Sequence, residues 1–223
     1  MYGFPRRNPM IDQRGRRWYN GLPEPAKVSL WLRASDGVYA NAEGSVPATD
    51  GDPVYVWHDM SGRGHHMEAI NTTCPTRRYQ NGWYLDTTTG YLRCSAPFLA
   101  QHIFVRFCSP TATWGSYGGP LVSSESRAYL LEDGATRFHY NPYPSSVRRN
   151  GSALASPYDL APITTFFVAM IVSSTSTART WNIDYWEYDA RRSGLYIQEL
   201  IAYSDTIDGA TITQVESYLM RGL

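Results

Sequence analysis

The sequence is short of four things, and each shortage excludes a class of protein. Net charge is absent: 20 basic residues face 20 acidic ones in 223, so the fold as a whole has no long-range field to gather phosphate, and a nucleic-acid partner is not expected. Cysteine is scarce. Cys74, Cys94 and Cys108 are an odd number without CxxC spacing, which argues against a disulfide framework and a structural zinc site. They read as ordinary buried thiols, with a single Cys94–Cys108 bridge left open as an alternative. Long apolar runs are missing as well. The opening MYGFPRRNPMIDQRGRR is interrupted by charge and proline, so neither a signal peptide nor a bilayer-crossing segment is expected there. Charged residues make up only 18%, yet 43% of residues are apolar and 14% aromatic, too many for a disordered chain. One soluble globular domain of ordinary size is the expectation.

Charge is unbalanced at the start. Arg6, Arg7, Arg14, Arg16 and Arg17 stand against the single acid Asp12 between Met1 and Asn20, among prolines and glycines. Residues 1–26 therefore read as an extended basic arm that docks on a partner. Two prolines in GLPEPAK forbid a helix, VSLWLRA then alternates as a half-buried strand does, and the folded domain is expected to span residues 27–223. Short strand-like runs follow at close intervals, among them PVYVWHDM, GWYLD, GYLRCS, HIFVRFCS, SSVRRNGS, TWNIDYWEY and GLYIQELIAYS. The pattern predicts an all-β fold, a sandwich or barrel. Asn81-Gly82 and Asn150-Gly151 suit tight antiparallel connections, and the continuously apolar TTFFVAMIV predicts a central strand buried on both faces. Only the stretch from Ala210 to Leu223 reads as helix. Thr211 is its expected N-cap, Gln214 completes a capping box, and Ile212, Val215, Tyr218 and Leu219 share one face.

Two stretches resemble a known family. WHDMSGRGHHM, from Trp57 to Met67, and the following GWYLDTTTGYL are similar to the W-x-D-x-S-G-x-G signature and the F-D-G-x-x-D-Y-L turn of concanavalin A-like lectin/glucanase domains of the laminin G-like type. SGLYIQELIAYSDTIDGATITQVESYLMRGL is similar to that family's closing strand and helix. The resemblance implies a two-sheet antiparallel jelly roll. It fixes no activity, because domains of this type serve as carbohydrate binders, glycosidases, spacers in secreted bacterial proteins and accessory domains on bacteriophage particles. Within the signature, Trp57 is expected to fill the space between the sheets. Asp59 and Ser61 are expected to cap backbone amides of the turn that Gly62 and Gly64 permit.

Catalytic patterns are thin. Glucanases of the superfamily carry E-x-D-x-x-E on one strand, whereas the nearest text here, Glu187 to Arg192, has arginine in place of the second glutamate. Glu199 has no second carboxylate at useful spacing and is expected to pair with an arginine or accept a backbone bond. No G-x-S-x-G elbow, phosphate loop or dinucleotide fingerprint occurs. His58, His65, His66 and Asp59 are zinc ligands in principle, but adjacent histidines point to opposite sides of an extended chain. No cofactor is expected, with calcium on Asp36, Asp50 and Asp52 the one alternative.

Two aromatic clusters remain. Tyr185, Trp186, Glu187, Tyr188 and Asp189 interleave rings with carboxylates, and His139, Tyr140 and Tyr143 lie in a second cluster. Both suit contacts with a glycan or a protein partner, set against the plainer reading that strand alternation gives one core face and one wet face. The combined expectation is a non-catalytic accessory protein on a virion surface, a bacteriophage capsid decoration or fibre-associated protein present in many copies. Its arm would bind other capsid or tail proteins, and no membrane partner is expected. A secreted bacterial carbohydrate-binding module or lectin is the alternative, and a glycosidase comes third.

Overall fold

Short β-branched and aromatic runs, broken by glycine and asparagine turns, suit pleated strands far better than helices. In the computed structural model they form strands almost throughout. It describes residues 10–11, 17–18, 22–70, 73–114, 118–123, 134–137, 145–155, 159–173, 177–185 and 192–221. In chain order the strands are β1 (Met10–Ile11), β2 (Arg17–Trp18), β3 (Val28–Arg33), β4 (Val38–Tyr39), β5 (Val56–Trp57), β6 (Met67–Ala69), β7 (Thr76–Tyr79), β8 (Trp83–Asp86), β9 (Leu92–Cys94), β10 (His102–Cys108), β11 (Val122–Ser123), β12 (Ser146–Arg149), β13 (Ser152–Ala153), β14 (Phe167–Val172), β15 (Trp181–Ile183) and β16 (Tyr196–Tyr203). One helix, α1 (Gly209–Leu219), follows.

Two antiparallel sheets pack as a sandwich. The larger has eight strands in the order β13-β12-β14-β10-β16-β8-β7, with β3 also paired to β16; the smaller has six, in the order β11-β15-β9-β6-β5-β4. TTFFVAMIV does hold a central strand, since β14 lies between β12 and β10 and is buried on both faces. The hairpin turns use positive φ where expected, at Asn81 (55°) with Gly82 (138°) and Asn150 (46°) with Gly151 (81°).

Strand alternation feeds two cores. Leu30 and Leu32 of β3, Phe107 of β10, Ile171 of β14 and Leu200 of β16 point between the sheets. Trp31, Phe104, Met170, Ile201 and Tyr203 point the other way, where Val215 and Leu219 of α1 cover them. This second core corrects the expected half-buried VSLWLRA: five of the six residues of β3 are buried, because helix covers the face that water would otherwise wet. An 11-residue helix is marginal in isolation, and burying side chains such as Val215 and Leu219 stabilises it by roughly 1.5–3 kcal/mol each. Arg148 of β12 adds a bidentate pair to Glu216, Nε donating at 2.9 Å and Nη2 at 3.1 Å.

The helix begins earlier than expected, and its cap is Asp208. That residue is extended and its Oδ1 accepts from the Thr211 amide at 2.7 Å. Thr211 is instead buried one turn in, its hydroxyl donating to Glu24 Oε1 at 2.9 Å. Aspartate caps at least as well as threonine, so the earlier acceptor wins. Chemical denaturation should show Asp208→Ala costing about 1 kcal/mol, while Gln214→Ala should stay within about 0.5 kcal/mol of the parent. The reverse order would restore Thr211 as the cap.

Candidate functional site

The turn after β5 is built around one carboxylate. Trp57 is fully buried between the sheets, its Nε1 donating to the Arg33 carbonyl at 3.0 Å. Asp59 Oδ1 accepts from the Trp31 amide (3.0 Å) and the Ser61 amide (2.9 Å), while Oδ2 accepts from Ser61 Oγ (2.7 Å) and the His65 amide (3.1 Å). Gly62 and Gly64 supply left-handed backbone at φ 83° and 79°. His65 parts from the other two histidines. His65 Nδ1 meets the Ser29 carbonyl at 2.6 Å with its ring on Phe98, whereas His66 packs on His58 and His58 on Tyr39. Among the described residues no three His, Cys, Asp or Glu side chains converge as metal ligands. Asp36, Asp50 and Asp52 each serve their own contact: Asp36 pairs with Arg33, Asp50 accepts from the Tyr79 amide, and Asp52 accepts from Thr49.

All three cysteines are free and buried, so the alternative Cys94–Cys108 bridge is not formed. Cys94 Sγ accepts from the Trp181 amide at 2.9 Å, and burial pushes the Cys108 thiol up to about 12. Neither is poised as a nucleophile.

A second carboxylate, not singled out in the sequence, organises the base of the aromatic segment. The strand expected over TWNIDYWEY ends at Ile183, because Asp184 adopts φ 54°. Its side chain is fully buried. Oδ1 accepts from the Ser193 amide (2.9 Å), and Oδ2 accepts from the Gly194 amide (2.7 Å) and Thr87 Oγ1 (2.6 Å). One aspartate thereby joins both ends of residues 185–192. Gly118 makes room for it, since a Cβ there would lie 2.3 Å from Asp184 Oδ1. Burial pushes the Asp184 carboxyl up to about 6.

Of the residues expected to contact a glycan or partner, Tyr185 is half-buried and stacks on Tyr91, ring centroids 3.7 Å apart and nearly parallel. Trp186, Glu187, Tyr188, Asp189, His139, Tyr140 and Tyr143 lie outside the described residues, as do Arg6, Arg7, Arg14 and Arg16 of the arm. Arg17 belongs to β2 and stands opposite Ile11 of β1 in a two-residue antiparallel pairing.

A polar depression marks the place where β16 changes neighbours. One edge of β16 pairs with β3 at Glu199–Tyr203 and with β8 at Tyr196–Ile197. Between them lies a hollow of about 300 Å³ lined in part by Ser35, Asn81, Trp83, Arg106, Gln198 and Glu199. Glu199 Oε1 accepts from Trp31 Nε1 and Tyr218 OH, both at 2.7 Å, with Arg33 Nε at 3.7 Å. Burial raises its carboxyl above the ordinary range. Arg106 Nη1 donates to the carbonyls of Leu219 and Arg221, and the Arg77 guanidinium covers the Trp83 ring at 3.9 Å. A retaining or inverting glycosidase site needs two facing carboxylates, and Glu199 is the one carboxylate among these lining residues.

Asp184 makes stability pH-dependent with a definite sign. Its folded pKa lies above the ordinary 3.8, so its contribution is greatest below about pH 4 and is lost as pH rises through about 6. Asp184→Asn should flatten that fall in melting temperature and cost about 1–3 kcal/mol at acid pH, where its amide NH₂ would face another donor. An unchanged pH profile would contradict the assignment. No helix among the described residues is long and apolar enough to cross a membrane. No protein-family model matches the sequence, and no curated protein matches it.

Proposed function

We propose that the protein is a non-catalytic accessory module of a virus particle, a bacteriophage decoration or fibre-associated protein. Its basic arm holds it to capsid or tail proteins, and the sandwich faces outward in many copies. The observation that carries this reading is the use made of the buried carboxylates. Asp59, Asp184 and Glu216 each accept from groups on other segments of the chain, which leaves them tied to the architecture, and Glu199, held by Trp31, is the one carboxylate among the residues lining the hollow. A general acid, base or nucleophile must instead face its substrate. The five arginines of the leader support docking, since ordering such a segment costs entropy that charge-assisted contacts to an acidic surface offset. The choice of a virus particle rests on the family resemblance.

The depression beside Glu199 favours a second reading, a carbohydrate-binding module. The amides of Asn81 and Gln198 would supply hydrogen bonds a sugar needs. One experiment separates the two. Deleting residues 1–20 should leave the melting temperature within about 2 °C of the parent and abolish copurification with particles. Retained attachment would exclude docking by the arm, and retention on a sugar resin without any particle association would select the lectin.

A further inference from the structure

Adjacent histidines in the turn after β5 hold opposite tautomers. The Ser29 carbonyl can only accept, so His65 Nδ1, 2.6 Å away, carries a hydrogen. The Asp59 amide can only donate, so His66 Nδ1, 3.1 Å away, is bare. The consequence differs at each ring. A second proton on His65 goes to Nε2 and leaves the Ser29 bond in place. On His66 the sole vacant nitrogen is the one already in use, and a proton there sets two donors against each other.

His58 and His66 lie with ring centroids 4.5 Å apart, and Tyr39 of β4 packs on the far side of His58 at the same distance. Gly44 closes over His58, where a Cβ would sit 2.8 Å from Nε2. Burial first, then His66, lowers the His58 pKa, with Glu68 of β6 acting the other way. Charged groups on the neighbouring segments are engaged: Glu43 accepts from Asn41, Arg63 donates to the Ala26 carbonyl, Arg93 of β9, opposite Glu68, donates to Asn182 Oδ1, and the Asp59 carboxylate accepts from four donors.

We propose that this turn is an acid-released latch: a proton on His66 Nδ1 expels the Asp59 amide and loosens residues 59–66 from β3. The Asp59 carboxylate is the grip, because it holds the Trp31 amide, and the backbone of the same residue is what the proton displaces. The response is to acidification. It is independent of what the protein docks on.

Amide hydrogen exchange by NMR on the full chain tests this, with rates corrected for intrinsic pH dependence. Protection of the Asp59 amide should fall by about tenfold or more as the pH is lowered, and the Trp31 amide should follow. His66→Asn places a non-titrating oxygen near the position of Nδ1 and should keep Asp59 protected down to about pH 5. His65→Asn should behave as the parent does. Protection of Asp59 that ignores pH, or His66→Asn with the parent midpoint, would overturn the latch. A measurement on the parent alone also decides it: ring ¹⁵N shifts at alkaline pH showing a hydrogen on His66 Nδ1 would refute the proposal, whether or not the variants fold.

Discussion

A carboxylate taken out of water must be met by donors, and this molecule repeatedly finds those donors far away in sequence. Glu199 is held by Trp31, 168 residues earlier, and Asp184 by Thr87, 97 residues earlier. Arg148 reaches Glu216 across 68 residues. An unpaired ion in any of these places would cost several kcal/mol. Alternative packings that separate the partners are therefore penalised more heavily than the native pairing is rewarded. The buried acids, through the donors they engage, act as staples that select one arrangement of the sheets.

Strand β16 is where these constraints meet. It pairs with β10 on one side and with β3 and then β8 on the other, so three widely spaced segments depend on it. Its inward residues complete the core between the sheets, and Ile201 and Tyr203 complete the one beneath the helix. Glu199 stands at the change from β3 to β8, where the ladder alone would leave a gap, and its three donors come from β3 and α1. Such non-local pairing is slow to assemble but cooperative once formed.

Fold class was legible in the sequence because alternation and Asn-Gly turns report directly on backbone geometry. The β14 segment was legible for a related reason: a run apolar at every position needs burial on both faces. Short polar strands were not. TRRY forms β7 with Arg77 turned inward, its guanidinium donating to the carbonyls of Ala34, Ala48 and Ser35. No periodicity announces an arginine that ties a strand to neighbouring loops. Asp184 was hidden because DYWEYDARR alternates like a strand, and only the donors at Thr87, Ser193 and Gly194 explain why the chain turns there instead. Asp208 was hidden as the cap because the capping-box pattern fits only Thr211 with Gln214, while Thr211 itself stands three residues after Asp208; the backbone geometry nevertheless places the cap at Asp208. For Glu199, an arginine partner was expected and Arg33 supplies it; the tryptophan and tyrosine donors lie beyond what spacing can reveal.

The most direct test of the central claim is a double-mutant cycle on Glu199→Ala and Tyr218→Phe, read by denaturant unfolding. If the carboxylate fastens α1 to the sheet, the two substitutions should be coupled by at least about 1 kcal/mol. Additive effects would mean that Glu199 is not a staple, and the view of these buried acids as architecture would fail.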